Sequence, residues 1–148
     1  MLNVESRRDL PDLIPRARQG LCSWKQDKSG FHYTVLLEEG SRLRFHRLGA
    51  EVSGDREIFT AVPGRVVEGY ESCNGHYLVI QVSYGSAGDR TELYFQDLAL
   101  GGPIVPIVND IDAAFFANNA GDALFMVTNR EAPNWRVIGV DLKSPSRD

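Results

Sequence analysis

Short apolar runs, each closed by Gly, Asn or Asp, follow one another along the chain. The clearest are 31–37 (FHYTVLL), 76–82 (HYLVIQV) and 123–128 (ALFMVT). All three are rich in β-branched and aromatic residues, which suit a pleated, half-buried surface. No segment sustains apolar residues at a 3.6-residue period, so the pattern predicts an all-β chain with hardly any helix. Each run follows a turn signal: Asp27-Lys28-Ser29-Gly30, Ser72-Cys73-Asn74-Gly75 and Asn119-Ala120-Gly121-Asp122. Gly and Asn accept the positive φ angles that tight hairpins need.

The turns recur at Gly30, Gly75 and Gly121, and the segments behind them recur too. A further strand ending in leucine follows at 43–48 (LRFHRL), 93–98 (LYFQDL) and 137–142 (VIGVDL). The first two units add another at 57–62 (EIFTAV) and 103–108 (PIVPIV). A four-stranded unit at about this interval is the size of one propeller blade. Blades bury their apolar faces by stacking around an axis, so an inner strand needs apolar residues on both sides. The unbroken run Tyr77-Leu78-Val79-Ile80 meets that need, whereas a sandwich with one wet face alternates. The expected architecture is a partial β-propeller: roughly two complete four-stranded blades and a third lacking its last strand. The blades fall at about 10–64, 65–110 and 111–143, between an N-terminal tail at 1–9 and a C-terminal tail at 144–148.

Composition narrows the function. At 148 residues and 43% apolar, the chain is the size of one ordinary domain. A net charge of −4 with scattered Lys and Arg gives no footprint for nucleic acid or an anionic membrane. No apolar run is long enough for a signal peptide or a membrane span, and the expected location is cytoplasmic. Cys22 and Cys73 form neither a zinc pattern nor a disulfide framework, and read as buried free thiols.

Candidate chemistry is sparse. His32, His46 and His76 lie in or beside predicted strands with no carboxylate at a recurring offset, so they read as structural or solvent-facing. Asp110 and Asp112 lack the further oxygen ligands of a calcium loop and read as a solvated turn. Trp24 and Trp135 read as core or blade-edge packing. Asp97 and Asp141, each before the terminal leucine of an equivalent strand, read as turn hydrogen-bonders. A nucleophile elbow needs Gly-x-Ser-x-Gly; neither Gly69-Tyr70-Glu71-Ser72 nor Gly85-Ser86-Ala87-Gly88 supplies it. The expected catalytic, metal and cofactor-binding residues are none, no cofactor is expected, and substrate-binding residues are unknown.

Several segments resemble the propeller of prolyl oligopeptidases. Leu10-Pro11-Asp12, Ser23-Trp24 and Gly30-Phe31-His32-Tyr33 are similar to that family's "LPD", "AW" and "FY" blade. Phe45-His46-Arg47-Leu48-Gly49 resembles "YHxLG", with Asp55 at the acidic position that follows. Asn74-Gly75-His76-Tyr77-Leu78-Val79-Ile80 resembles "DGRYLxI", and Glu92-Leu93-Tyr94 resembles "RLYY". The most specific stretch runs from Thr128 to Val137 (TNREAPNWRV), similar to "TNxxAPNYRL", whose Ala132-Pro133-Asn134 turn would join the second and third strands of a blade. Oligopeptidase B shares a similar stretch.

The resemblance implies part of a seven-bladed, non-catalytic propeller that gates short peptides into a Ser-Asp-His site housed in a separate α/β-hydrolase domain. Two substrate-proximal family positions fall at Gln19 and near Ala87 and depart from the pattern, so no binding residue carries over. The chain is therefore expected to be a non-enzymatic propeller fragment; the alternatives are a stand-alone protein-interaction module or one half of a split peptidase. Expected partners are a peptidase catalytic domain or the remaining blades, with self-association through apolar faces at both ends. Those faces are placed around Phe31, Tyr33, Val35 and Phe45, and around Phe125, Val127, Val137 and Val140.

Overall fold

The computed structural model describes residues 2–15, 17, 22–85 and 88–145. Its strands are β1 (Leu2–Asn3), β2 (Arg8–Asp9), β3 (Ser23–Trp24), β4 (Gly30–Leu37), β5 (Gly40–Arg47), β6 (Arg56–Ala61) and β7 (Arg65–Glu71). They continue as β8 (Tyr77–Tyr84), β9 (Arg90–Asp97), β10 (Ile104–Val108), β11 (Phe115–Ala120), β12 (Ala123–Thr128) and β13 (Arg136–Asp141). One 3-10 turn at Val52–Gly54 is the only helical element among the described residues.

These strands form up-and-down antiparallel sheets in chain order. β3-β4-β5-β6 and β7-β8-β9-β10 have four strands, β11-β12-β13 has three, and β1 pairs with β2. The sheets stack and do not close into a ring. This is the expected all-β architecture of two four-stranded blades and a three-stranded third.

Side-chain parity explains the stacking. In β8, Leu78, Ile80 and Val82 pack with Leu43, Ala61 and Val67 between the first and second sheets. Tyr77 and Val79 project the other way and pack with Phe115, Leu124 and Met126 of the third. Val79 and Ile80 are both fully buried, which a sheet with one wet face would not allow. A buried aliphatic side chain contributes about 1.5–3 kcal/mol, so one strand serves two cores.

The first strand of each following sheet is held through its backbone as well. Ser41 Oγ accepts the Val67 amide at 2.9 Å and donates to the Arg65 carbonyl at 3.0 Å. Fifty residues on, Thr91 Oγ1 accepts the Phe115 amide at 2.6 Å and donates to the Phe115 carbonyl at 2.8 Å. Each hydroxyl is the second residue of its sheet's third strand. Close approach is also built into Gly69, where a Cβ would sit 2.5 Å from Leu43 Cδ2.

Two readings of detail change. Gly30 is not the positive-φ residue of its turn; Lys28 is, at φ 58°. Gly30 instead lies in β4, where a Cβ would fall 2.2 Å from the His46 carbonyl oxygen. The first strands β7 and β11 were not marked by apolar runs, because Glu68, Gly69 and Glu71, and Asn118 and Asn119, interrupt them.

The hydroxyl bridges predict a measurable loss. Thr91→Val keeps the shape but leaves the Phe115 amide without its acceptor in a buried site, which costs about 1–3 kcal/mol. Urea unfolding monitored by tryptophan fluorescence is expected to show that decrease, and an unchanged midpoint would show that the bridge contributes nothing.

Candidate functional site

The two ends of the stack differ. On the first sheet, Phe31, Tyr33 and Val35 are 3%, 3% and 5% exposed, packed beneath Ile14, Leu37 and Leu48. The expectation of an open face there is wrong: the segment after β2 covers it. Phe45 does not belong to that face either. It pairs with His32, and both lie on the side turned toward Glu71 of β7.

The third sheet is open. Its ladder aligns Phe116 with Val127 and Val137, and Asn118 with Phe125 and Gly139. Phe116, Phe125, Val127 and Val137 are 42%, 48%, 42% and 66% exposed. Val140, expected on this face, points to the opposite side and packs into the core shared with the second sheet. Among the described residues of its three strands the ionisable group on this face is Asp141, with Asp122 and Lys143 beside it at the same end of the sheet. A solvated sheet face would alternate charge along these rows, so this is a surface shaped to be covered. Beside it, β13 has no partner strand along one edge among the described residues, and a groove of about 860 Å³ runs between that edge and β10.

The histidines are structural, through carboxylates far away in sequence. His46 is fully buried, with Nδ1 2.8 Å from Asp55 Oδ1 and Nε2 2.9 Å from Asp12 Oδ1. Carboxylates only accept, so both ring nitrogens carry protons and the ring is an imidazolium. Asp12 also accepts the Gly49 amide at 2.6 Å, and Asp55 accepts the Tyr33 hydroxyl at 2.6 Å. Burial alone would lower the His46 pKa, but Asp12 and Asp55 more than reverse this and hold it above the ordinary value. The bond from His46, followed by the Gly49 amide, holds the Asp12 carboxyl below its ordinary range. The absence of a carboxylate at a fixed offset was misleading, since Asp12 lies 34 residues before His46 and Asp55 nine after. This cluster fastens the covering segment onto the first sheet.

His32 is the converse case. Burial pushes its pKa down, outweighing the nearby Glu71 carboxylate, so the neutral ring donates from Nε2 to Glu71 Oε1 at 3.3 Å. Glu71 Oε2 also accepts the Gln26 amide, which joins the first and second sheets at their turns. His76 is exposed beside Tyr77. A further polar cluster, unmarked in the sequence, surrounds Tyr84. Its ring lies between the guanidinium groups of Arg65 and Arg90, at 4.2 and 4.6 Å, and its hydroxyl donates to Glu92.

Other expectations resolve individually. Cys22 and Cys73 are exposed, not buried; Cys73 sits on the turn before β8, where Sγ approaches the Gly121 amide at 3.4 Å. Trp24 and Trp135 are 47% and 43% exposed, so neither is a core residue. Trp24 meets Phe31 edge-on, while Trp135 lies in the turn before β13 at φ 61° and stacks on Phe116. Asp97 Oδ1 accepts the Leu100 amide and Asp141 Oδ1 the Lys143 amide, both at 2.9 Å, as turn hydrogen-bonders. Asp110 and Asp112 are exposed on the loop after β10. Among the described residues no group of three or more His, Cys, Asp or Glu could hold a metal ion, and no helix is long and apolar enough to cross a membrane. Gln19 and Ala87 lie outside the described residues.

Stacked up-and-down sheets, riveted strand by strand to the sheet before, define a β-propeller built of separate blades. Residues 1–148 match the profile of the prolyl oligopeptidase N-terminal β-propeller domain, and the chain belongs to that family. It is 28% identical to the prolyl endopeptidase of Elizabethkingia meningoseptica over 162 aligned positions, which cover 100% of this chain and 23% of that protein. A solved prolyl endopeptidase structure superimposes with a TM-score of 0.88 at 23% identity, over 99% of this chain and 23% of that one. Oligopeptidase B from Leishmania major shares the fold, with a TM-score of 0.77 at 16% identity over 98% and 21% of the two chains. The chain thus spans less than a quarter of the length of these relatives, and the matched part is the propeller.

The clasp around His46 makes stability depend on pH in both directions. Because the folded His46 pKa is raised, its contribution is complete below about 6.5, the unfolded value, and is lost as pH rises through the folded value. Because the Asp12 pKa is lowered, its contribution is present above about 3.8 and is lost as pH falls through the folded value. Urea midpoints are expected to be highest between these limits and to fall on either side. Replacing His46 by Ala, which leaves two buried carboxylates facing each other, is expected to cost about 3 kcal/mol or more. A flat profile between pH 5 and 9 in the parent protein would count against the charged clasp.

Proposed function

We propose that this chain supplies blades to the non-catalytic, substrate-gating propeller of a prolyl oligopeptidase-like serine peptidase. The outward face of the third sheet, where Phe116, Phe125, Val127 and Val137 are exposed, carries this reading: it has the composition of an interblade surface and is where a following blade would stack. The propeller-family match and the curated prolyl endopeptidases support the parent activity. Peptide-bond hydrolysis by a serine peptidase needs an activated nucleophile, a base and oxyanion donors. His46 is a buried cation with both nitrogens occupied, His32 is committed to Glu71, and Gly-x-Ser-x-Gly is absent from the 148 residues. The hydrolase chemistry would therefore reside in a separate domain, with the propeller excluding substrates too large to pass.

The purified chain is expected to release no chromophore from a proline-containing chromogenic peptide. Co-expression with a polypeptide carrying the remaining blades and a hydrolase domain is expected to yield activity that co-purifies with both. Turnover by the chain alone, persisting through further purification, would overturn the non-catalytic reading; a stable but inactive complex would overturn the gating partnership.

A further inference from the structure

At the hairpin end of the second sheet, Arg65, Tyr84 and Arg90 stand side by side as paired residues of β7, β8 and β9. The two guanidinium groups lie 4.2 and 4.6 Å from the centroid of the Tyr84 ring. Next to them is the buried carboxylate of Glu92, whose oxygens accept the hydroxyl of Tyr84 and, at 2.9 Å, that of Tyr94. Arg65 and Arg90 approach the same oxygen, Glu92 Oε1, only to 3.8 and 3.9 Å. At that range charges attract, but no hydrogen bond forms. Arg90 Nε is sealed from solvent with no acceptor, while both arginine side chains keep 36% of their surface exposed. Two cations thus share one anion that already serves two phenols, and the row carries one unbalanced positive charge in a chain of net charge −4. The flanking loops are Val-Pro-Gly at 62–64 and Gly-Ser-Ala-Gly-Asp at 85–89, and their one charged residue, Asp89, is exposed. Gly64 and Gly85 border open space, since a Cβ at either would meet nothing within 4 Å.

A cluster that only fastens the fold brings donor and acceptor into contact, as His46 does with Asp12 and Asp55 at 2.9 and 2.8 Å. In the arginine row the acceptor stands too far off and is already occupied. From this contrast we infer that Arg65, Tyr84 and Arg90 form a binding site for one carboxylate group. Stacking on the tyrosine fixes both guanidinium planes, so little side-chain freedom is lost when they meet an acceptor. Moving toward a carboxylate costs Arg90 Nε no existing bond, and a charge-assisted hydrogen bond is about twice as strong as a neutral one. Charge selects within the oxyanions: a carboxylate matches the single unbalanced cation, whereas a phosphate dianion would also face Glu92 and Asp89. Such a carboxylate has two sources, a small free acid or an acidic side chain of a polypeptide. Neither the peptidase reading nor a further blade enters into this site, which lies wholly within the second sheet.

The first probe is sodium acetate, titrated into the isotope-labelled full chain against sodium chloride at equal ionic strength. In NMR spectra the Nε–Hε resonances of Arg65 and Arg90 are expected to shift saturably with acetate and not with chloride, while that of exposed Arg8 stays in place. Arg90→Gln, read from Arg65, is expected to weaken acetate binding about tenfold, the loss of one charge-assisted hydrogen bond. Arg65→Lys, read from Arg90, keeps the charge but loses the planar fork and is expected to weaken it as well. Arg8→Gln makes the same change in net charge as Arg90→Gln and leaves binding unchanged. Circular dichroism checks that each variant is folded, and the comparison of acetate with chloride needs only the unaltered protein. A capped Gly-Asp-Gly peptide, with a single carboxylate, separates the sources: tighter binding than acetate assigns the site to a polypeptide, and equal binding to a small free acid. Identical titrations with acetate and chloride overturn the proposal. So does inorganic phosphate binding more tightly than acetate, or an equal loss in Arg8→Gln and Arg90→Gln, which would reduce the effect to net charge.

Discussion

Everything in this chain depends on each sheet having to be covered by the next. A four-stranded antiparallel sheet whose strands are apolar on both sides cannot stand in water by itself. β8 shows the constraint most plainly, because its alternate residues enter two different cores. The requirement reaches the backbone: a first strand lying against another sheet needs its amides and carbonyls satisfied as well as its side chains buried. Ser41 and Thr91 answer this with one hydroxyl that both accepts and donates, placed at the same point of consecutive third strands. Apolar stacking thus supplies most of the stabilisation, and the hydroxyls set the register in which the sheets stack.

From that constraint the asymmetry of the ends follows. The first sheet is closed by the segment carrying Asp12 and Ile14, and a buried cation held between two carboxylates locks the closure. Such a cluster is a poor source of net stability, since desolvating three charged groups consumes most of what their attraction returns. Its value lies in position: Asp12 cannot shift by one residue without stranding His46. Among the described residues the third sheet has no such cover, and β13 contains no hydroxyl, so its centre offers apolar contact and backbone pairing.

How much of this could be read beforehand follows from which forces are local. Turn chemistry at Asn74-Gly75 and Gly121-Asp122 and the apolar runs behind them are local, and the second and third strands fell where the pattern placed them. First strands were harder, because β7 and β11 draw their stability from the preceding sheet and can carry Glu68 or Asn119. The clasp was illegible for a related reason. Asp12 and Asp55 stood among the motif residues, but only the fold brings them to the two sides of one imidazole. Cys22 and Cys73 went wrong in the opposite direction, since residue type suggested burial yet both are exposed, whereas the two tryptophans took the blade-edge place, each packed on a phenylalanine at a sheet rim.

The edges carry the last step. If the stack were shaped only by the need to bury apolar area, all three outer strands would be finished alike. They are not: β6 and β10 meet their neighbours through register shifts, whereas β13, between Arg136 and Asp141, runs in unbroken register with β12. A third strand such as β5 or β9 needs an uninterrupted edge to receive its neighbour, and β13 retains that property. The β13 edge and the face bearing Phe116, Phe125, Val127 and Val137 lie side by side, the edge suited to an extended backbone and the face to apolar side chains.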